Sequence, residues 1–214
     1  MRAPESRELA MFPLESALLP DQDLPLRIFE PRYSALVRHC LDTGDPFGVV
    51  LISGGREVGG GELRCNVGVL ASIIDCADQG AARYLLHCRT GERIRVSQWL
   101  PDDPYPRATI NLWPDDPGET VTASQLRDVE DRAMALFERI ADARGVTLPD
   151  RELLLGEHTA DDPGQRLFAL ASRFPIGTAD RYTVLSAPSA ADRLVALSDA
   201  VDAVAEIVEF QLSE

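Results

Sequence analysis

Leu24-Pro25-Leu26-Arg27-Ile28-Phe29-Glu30-Pro31-Arg32-Tyr33 decides how the chain is read. Its first half is apolar at Leu24, Leu26, Ile28 and Phe29 and predicts a short strand. Its second half opens a helix. Pro31 suits the first helical position, where a missing N–H removes no bond. Glu30 stands just before it, where a carboxylate meets free backbone N–H groups. Tyr33, Leu36, Val37, Cys40 and Leu41 then recur at helical spacing and predict one buried face, ended by Gly44. A strand running straight into an apolar helix is a core-forming unit, and the remainder has to pack on it.

At 214 residues and 23.4 kDa the chain is long enough for one large domain or two small ones. Hydrophobic residues at 45% and charged ones at 26% give an ordinary soluble balance. No apolar run approaches the roughly 20 residues that span a bilayer. The first residues, Met1 to Glu8, carry no apolar signal core, so a cytoplasmic protein is expected. Cys40, Cys65, Cys76 and Cys88 form no Cys-x-x-Cys pair, which predicts free thiols and no metal.

The net charge is −14 and uneven. Residues 1–114 hold 15 acids and 12 Arg, net −3; residues 115–214 hold 20 acids and 9 Arg, net −11. Such a balance argues against nucleic acid and anionic membranes as partners. All 21 basic residues are Arg. The absence of Lys excludes a P-loop ATPase, a Ser–Lys dyad and a Lys Schiff base.

Leu9 to Leu19 predicts two short apolar pieces separated by Pro13. Phe47 to Ile52 and Asn66 to Ile74 read as strands, and Gly59-Gly60-Gly61 between them as a hairpin turn, since no helix follows it. Ala82 to Thr90 and Glu92 to Leu100 flank Gly91 as a second hairpin, and Tyr105 to Trp113 gives another strand. Six or seven short strands with one early helix favour a barrel or sandwich. Pro114 to Gly118 marks a boundary, setting a β-rich region at 1–116 against a helical one at 117–214. Beyond it, Leu126, Val129, Ala133, Leu136, Phe137 and Ile140 predict a helix stopped by Gly145. Val146 to Ala160 suggests a loop with one helical turn. Asp162-Pro163 starts another helix, Thr178 or Asp180 a short one, and Ser189 caps a last one with Leu194, Leu197, Val201, Val204 and Val208 in heptad register. A four-helix assembly is expected, its acids mostly outward.

His39, His87 and His158 lack a Gly-x-Ser-x-Gly partner motif. Asp102-Asp103, Asp115-Asp116 and Asp161-Asp162 adjoin prolines, which explains them as turns and caps. Trp99, Tyr105 and Trp113 cluster late in the β-rich half. They read either as core or as a groove for unfolded peptide, with Arg95 and Arg107 on its rim.

The opening stretch also resembles the L-P-L-x-I-F-E-P-R-Y signature of the N-terminal, substrate-binding domain of the ATP-dependent protease Lon, with Arg27 where the family often has His. Phe47 to Leu51 resembles its F-G-V-V strand, Gly55 to Gly59 its G-x-E-x-G turn, and Val67-Gly68 with Ala71 and Ile73 its V-G-x-x-A-x-I. Gly91 to Val96 resembles G-x-R-F-x-V, with Ile94 for the aromatic, and Pro104 to Ala108 resembles P-Y-x-x-A. The resemblance implies an α+β fold: a PUA-like β pseudo-barrel with one early helix, followed by a C-terminal helical bundle. It implies a non-catalytic module for unfolded or partly folded polypeptides, an adaptor or regulator of proteolysis working with a protease or chaperone. Lon's ATPase and Ser–Lys peptidase are expected to be missing: 214 residues leave no room for them, and no Lys is present. No catalytic residue, cofactor or metal is carried over. Pro25, Phe29, Glu30, Pro31, Arg32 and Tyr33 carry over as structural, at the strand end, helix cap and core. The alternatives are a small-molecule site, a hydrolase using Cys or His, and RNA binding, which PUA-like barrels often perform.

Overall fold

A computed structural model describes residues 6–55, 61–156 and 162–212. Gly59, Gly60, Asp161, His158 and most of the Gly55–Gly59 motif lie outside the described residues. The chain divides into two units, residues 1–114 and 115–214. The break falls two residues before the expected one, because Asp115 and Asp116 bond to Arg193 and Pro188 of the helical unit.

The first unit holds β1 (Arg7–Leu14), β2 (Asp23–Ile28), α1 (Pro31–Thr43), β3 (Phe47–Gly54), β4 (Leu63–Asp78), β5 (Tyr84–Leu100) and β6 (Arg107–Leu112). Strand order is β2-β5-β4-β3-β1-β6, and β6 pairs back onto β5, so five strands close a ring. β1 and β3 run parallel, and the other pairs are antiparallel. Leu9, Met11, Val50, Leu70, Ile94, Val96, Ala108 and Ile110 fill the interior.

Two expected breaks are continuous strand. Pro13 does not divide β1: residues 7–10 pair with β6 and residues 11–14 pair with β3, so at Pro13 one flank is unpaired and the missing N–H is tolerated. Gly91 is no hairpin. Between Val69↔Arg93 and Ala71↔Thr90 the strand β5 carries one extra residue, a bulge. At this bulge β5 leaves β2 and takes β6 as its second neighbour, which closes the ring. Gly68 allows β3 to approach, since a Cβ there would meet the Val49 carbonyl oxygen at 2.0 Å.

The signature lies across β2 and the start of α1. Pro31 opens α1, and Gly44 (φ 76°) ends it by donating to Cys40 O. Tyr33 stacks on Phe12 at 4.2 Å. Three expectations change here. Glu30 occupies the N-cap, but its side chain makes no cap bond; it holds Arg32 at 3.2 Å. Leu41 is 48% exposed, and Ser34 is buried on the inward face. Ser34 Oγ donates to Glu30 O and Ala82 O, which is how a polar residue fits there. Phe29 is 55% exposed and is not a core residue.

The second unit holds α2 (Ala123–Arg144), α3 (Arg151–Leu155), α4 (Pro163–Arg173), α5 (Thr178–Ser186) and α6 (Ala190–Leu212): the four expected helices and, as α3, the helical turn expected between Val146 and Ala160. A capping box of Thr122 and Gln125 starts α2, and Gly145 (φ 62°) ends it. Asp162 Oδ1 accepts from Gly164 N–H at the start of α4, and Ser189 Oγ accepts from Asp192 N–H at the start of α6. Leu194, Leu197 and Val201 are buried, whereas Ile207, Phe210 and Leu212 at the end of α6 are exposed. One outward expectation fails: Glu130 is 1% exposed and accepts from Arg166 Nη2 at 2.7 Å. No described helix is long and apolar enough to cross a membrane.

Candidate functional site

A cavity of about 600 Å³ opens on the outer face of the β2–β5 sheet, lined by Arg27, Ile28, Phe29, Gln79, Arg83, Tyr84 and Leu85. Strand alternation builds it. Tyr84 and Leu86 point inward, so Leu85 between them points out and is 40% exposed. Arg27 on β2 and Ala77 on β4 lie opposite Leu85 and share its face. Phe29 follows β2 and stands beside this row, open to solvent.

The far wall is the β4–β5 turn. Gly80, Ala81 and Ala82 all have positive φ, at 76°, 51° and 56°. For alanine that conformation is unfavourable by about 1–2 kcal/mol per residue. Four bonds hold it: Gly80 N–H to Asp78 Oδ1 at 2.7 Å, Arg83 N–H to Gly80 O at 3.1 Å, Gln79 N–H to Arg83 O at 2.9 Å and Ser34 Oγ to Ala82 O at 2.5 Å. The buried serine of the signature helix thus fixes the turn that carries Gln79 and Arg83. Beneath them, Arg38 Nε donates to Tyr84 Oη at 3.2 Å.

The aromatic set expected from sequence does not gather in one place. Trp99 faces Ala108 across the β5–β6 ladder, whereas Trp113 lies past the other end of β6, where Leu112 faces Ile94. Trp113 is 8% exposed, with the guanidinium groups of Arg93 and Arg95 at 4.3 and 3.8 Å from its ring centre. Trp99 packs on the core cluster, donates to Asn66 Oδ1 at 3.0 Å and lies under Arg64. Tyr105 faces His39, ring centres 6.0 Å apart. Arg107 reaches Glu8 at 3.9 Å.

Groups that would serve a hydrolase are poorly placed. All four cysteines are free. Burial pushes the Cys40 thiol up to about 11, with Asp45 adding to it. Burial likewise pushes Cys88 up to about 12. Both are therefore neutral thiols near pH 7, the wrong form for a nucleophile. His87 is an exposed residue 3.3 Å from Asp23 on the wet face of β5. Asp102 is held by Arg64 through two bonds, at 3.0 and 2.6 Å, and Asp115 is held by Arg193. Among the described residues, no three of His, Cys, Asp and Glu converge as a metal site.

The sequence model of the ATP-dependent protease La (LON) substrate-binding domain matches residues 8–203. The chain belongs to this family. Among solved structures, a Lon N-terminal domain protein from Xanthomonas campestris is similar at 25% identity and TM-score 0.64, covering 89% of this chain and 96% of that one. The N-terminal domain of a Mycobacterium avium complex Lon protease aligns at 12% identity and TM-score 0.65, covering 92% of this chain and 98% of that one, a likeness of fold. No curated protein matches. The Lon-domain assignment accounts for the α+β architecture, a strand ring with an early helix followed by helices. It also gives the signature a structural sense. The motif supplies the edge strand that pairs with β5 outside the ring, the start of α1 and one wall of the cavity.

The cavity-lining residues not singled out as a contact surface from sequence are Arg27, Gln79, Arg83 and Leu85, with Phe29 assigned to the interior. Leu85 was findable, because the alternation from Tyr84 to Cys88 places it outside. Gln79 and Arg83 were not, since only the strained turn brings them beside β2.

Proposed function

We propose that this chain is a non-catalytic module that binds unfolded or partly folded polypeptide and serves as an adaptor or regulator of proteolysis. A protease or chaperone is its working partner. The observation that carries this is the open cavity with Phe29 and Leu85 exposed on its lining. Its volume suits one or two large side chains. Folded proteins rarely present such side chains, whereas unfolded ones do. Membership of a substrate-binding domain family supports the same reading. The neutral buried thiols support a non-enzymatic role, and four free cysteines support a reducing compartment such as the cytoplasm.

The contact surface moves to this groove because Trp113 leaves almost no ring surface free. Trp99 and Tyr105, with Arg107 beside them in the sequence, keep partial exposure and remain a secondary contact area. Titrating a labelled casein-like chain into the protein tests the proposal. Saturable binding is expected, weakened at least several-fold by Phe29→Ser with Leu85→Ser. Absence of saturable binding by the unaltered protein overturns it.

A further inference from the structure

From the two guanidinium groups beside the apolar floor of the cavity, we infer that the groove selects polypeptide segments in which a large apolar residue is flanked by Asp or Glu. The inference deepens the polypeptide-binding reading and rests on it.

Arg27 and Arg83 are both exposed and line the cavity that exposes Phe29 and Leu85. Among the described residues, neither side chain has a hydrogen bond or ion pair. That is unusual here, because most Arg side chains of the chain are engaged. Arg32 and Arg64 share Glu62, Arg89 holds Asp21 and Asp23, Arg151 holds Asp131, and Arg166 and Arg193 are buried on carboxylates. Asp78 and Glu30, next to the groove, have other partners. Asp78 accepts from the Gly80 N–H at 2.7 Å, and Glu30 holds Arg32 at 3.2 Å. Two guanidinium groups with no ion pair among the described residues therefore border an apolar surface on a chain of net charge −14.

This combination discriminates. The chain's overall acidity repels an acidic segment while the groove attracts it, so non-specific capture of acidic segments is reduced relative to binding at the groove. Arg forks donate paired hydrogen bonds to carboxylate oxygens, which would align the apolar residue between them over Phe29 and Leu85. A segment flanked by Lys meets like charges at the same positions.

Three labelled probes test this on the full chain: a peptide with a Phe-Leu centre flanked by Glu, the same peptide flanked by Lys, and a permanently unfolded chain of near-neutral charge. Fluorescence anisotropy is read for the unaltered protein and for Arg27→Glu with Arg83→Glu. Because both side chains are exposed and unpaired, the variant's circular dichroism and melting stay as in the parent. At low ionic strength the parent binds the Glu peptide about tenfold more tightly than the Lys peptide, and the variant inverts the order. Raising salt to about 0.5 M shrinks the ratio. A ratio near one in the parent, or one unchanged by the charge swap, overturns the inference. If the neutral unfolded chain still binds saturably in that case, the polypeptide-binding reading survives alone. If no probe binds, both fall.

Discussion

The strand unit and the helical unit both bury apolar side chains, and they differ in where some of their Arg side chains stand. In the first, eight apolar side chains from β1, β3, β4, β5 and β6 meet inside a closed ring, and strand register decides which ones. In the second, ion pairs are inserted between helices. Arg166 is 3% exposed and bonds Glu130 as well as the carbonyl of Leu155; Arg193, fully buried, bonds Asp115 and the carbonyl of Gly164 and lies 3.6 Å from the Phe168 ring centre. The unit with the larger negative charge thus places two of its nine Arg residues, Arg166 and Arg193, inside, where they hold α3, α4 and α6 to neighbouring segments. In the strand unit two Arg residues remain uncommitted at a groove. The proposed contact with another polypeptide lies on the strand unit for this reason.

The strongest way to break this contrast is Glu130→Ala. It strands the Arg166 guanidinium among helices, and a loss of about 3–5 kcal/mol is expected from denaturant unfolding followed by helical circular dichroism. Replacing both partners, Glu130→Leu with Arg166→Met, should recover most of it. If Glu130→Ala leaves unfolding unchanged, the buried pair does not hold the helical unit. In the strand unit the matching lesion is steric. Gly68→Ala puts a Cβ 2.0 Å from the Val49 carbonyl oxygen and 2.8 Å from Val50 Cγ1, neither of which yields easily. About 1–3 kcal/mol of destabilisation is expected in the same measurement.

A smaller effect separates the units by pH. Cys40 and Cys88 keep their protons up to about 11 and 12 in the folded state, against an ordinary value near 9. Above that ordinary value the unfolded chain has released these protons and the folded chain has not. Folding is then penalised as pH rises. Their contribution is complete below about pH 9 and is lost progressively from there to about 11–12. Melting of the strand unit should therefore fall with pH in that window, and Cys88→Ala should flatten the slope. The smallest effect is expected from Gly91→Ala. No atom lies within 4 Å of the added Cβ, and the bulge does not require positive φ. A change within about 0.5 kcal/mol distinguishes this bulge from a tight hairpin, in which alanine would be strained.

Local signals carried the parts of the fold that depend on local physics. Pro31 and Gly44 bound α1 because a missing N–H and a left-handed φ are properties of single residues. Gly145, Asp162 and Ser189 were readable as helix ends for the same reason. Buried Glu130, Arg166 and Arg193 were not, because a charged residue on a helix reads as surface until its partner is located. Phe29 misled in the opposite direction, since an aromatic in an apolar run reads as interior.

From sequence alone came the family signature, the missing Lys, the division into strand-rich and helical regions, and the excess of acid in the second. These are matters of residue type and short-range spacing. The tertiary structure decided that Gly91 bends one long strand and that β5 takes both β2 and β6. It also decided that Arg27 and Arg83 line one cavity with Phe29 and Leu85. Those outcomes depend on register between distant segments, which no local propensity encodes.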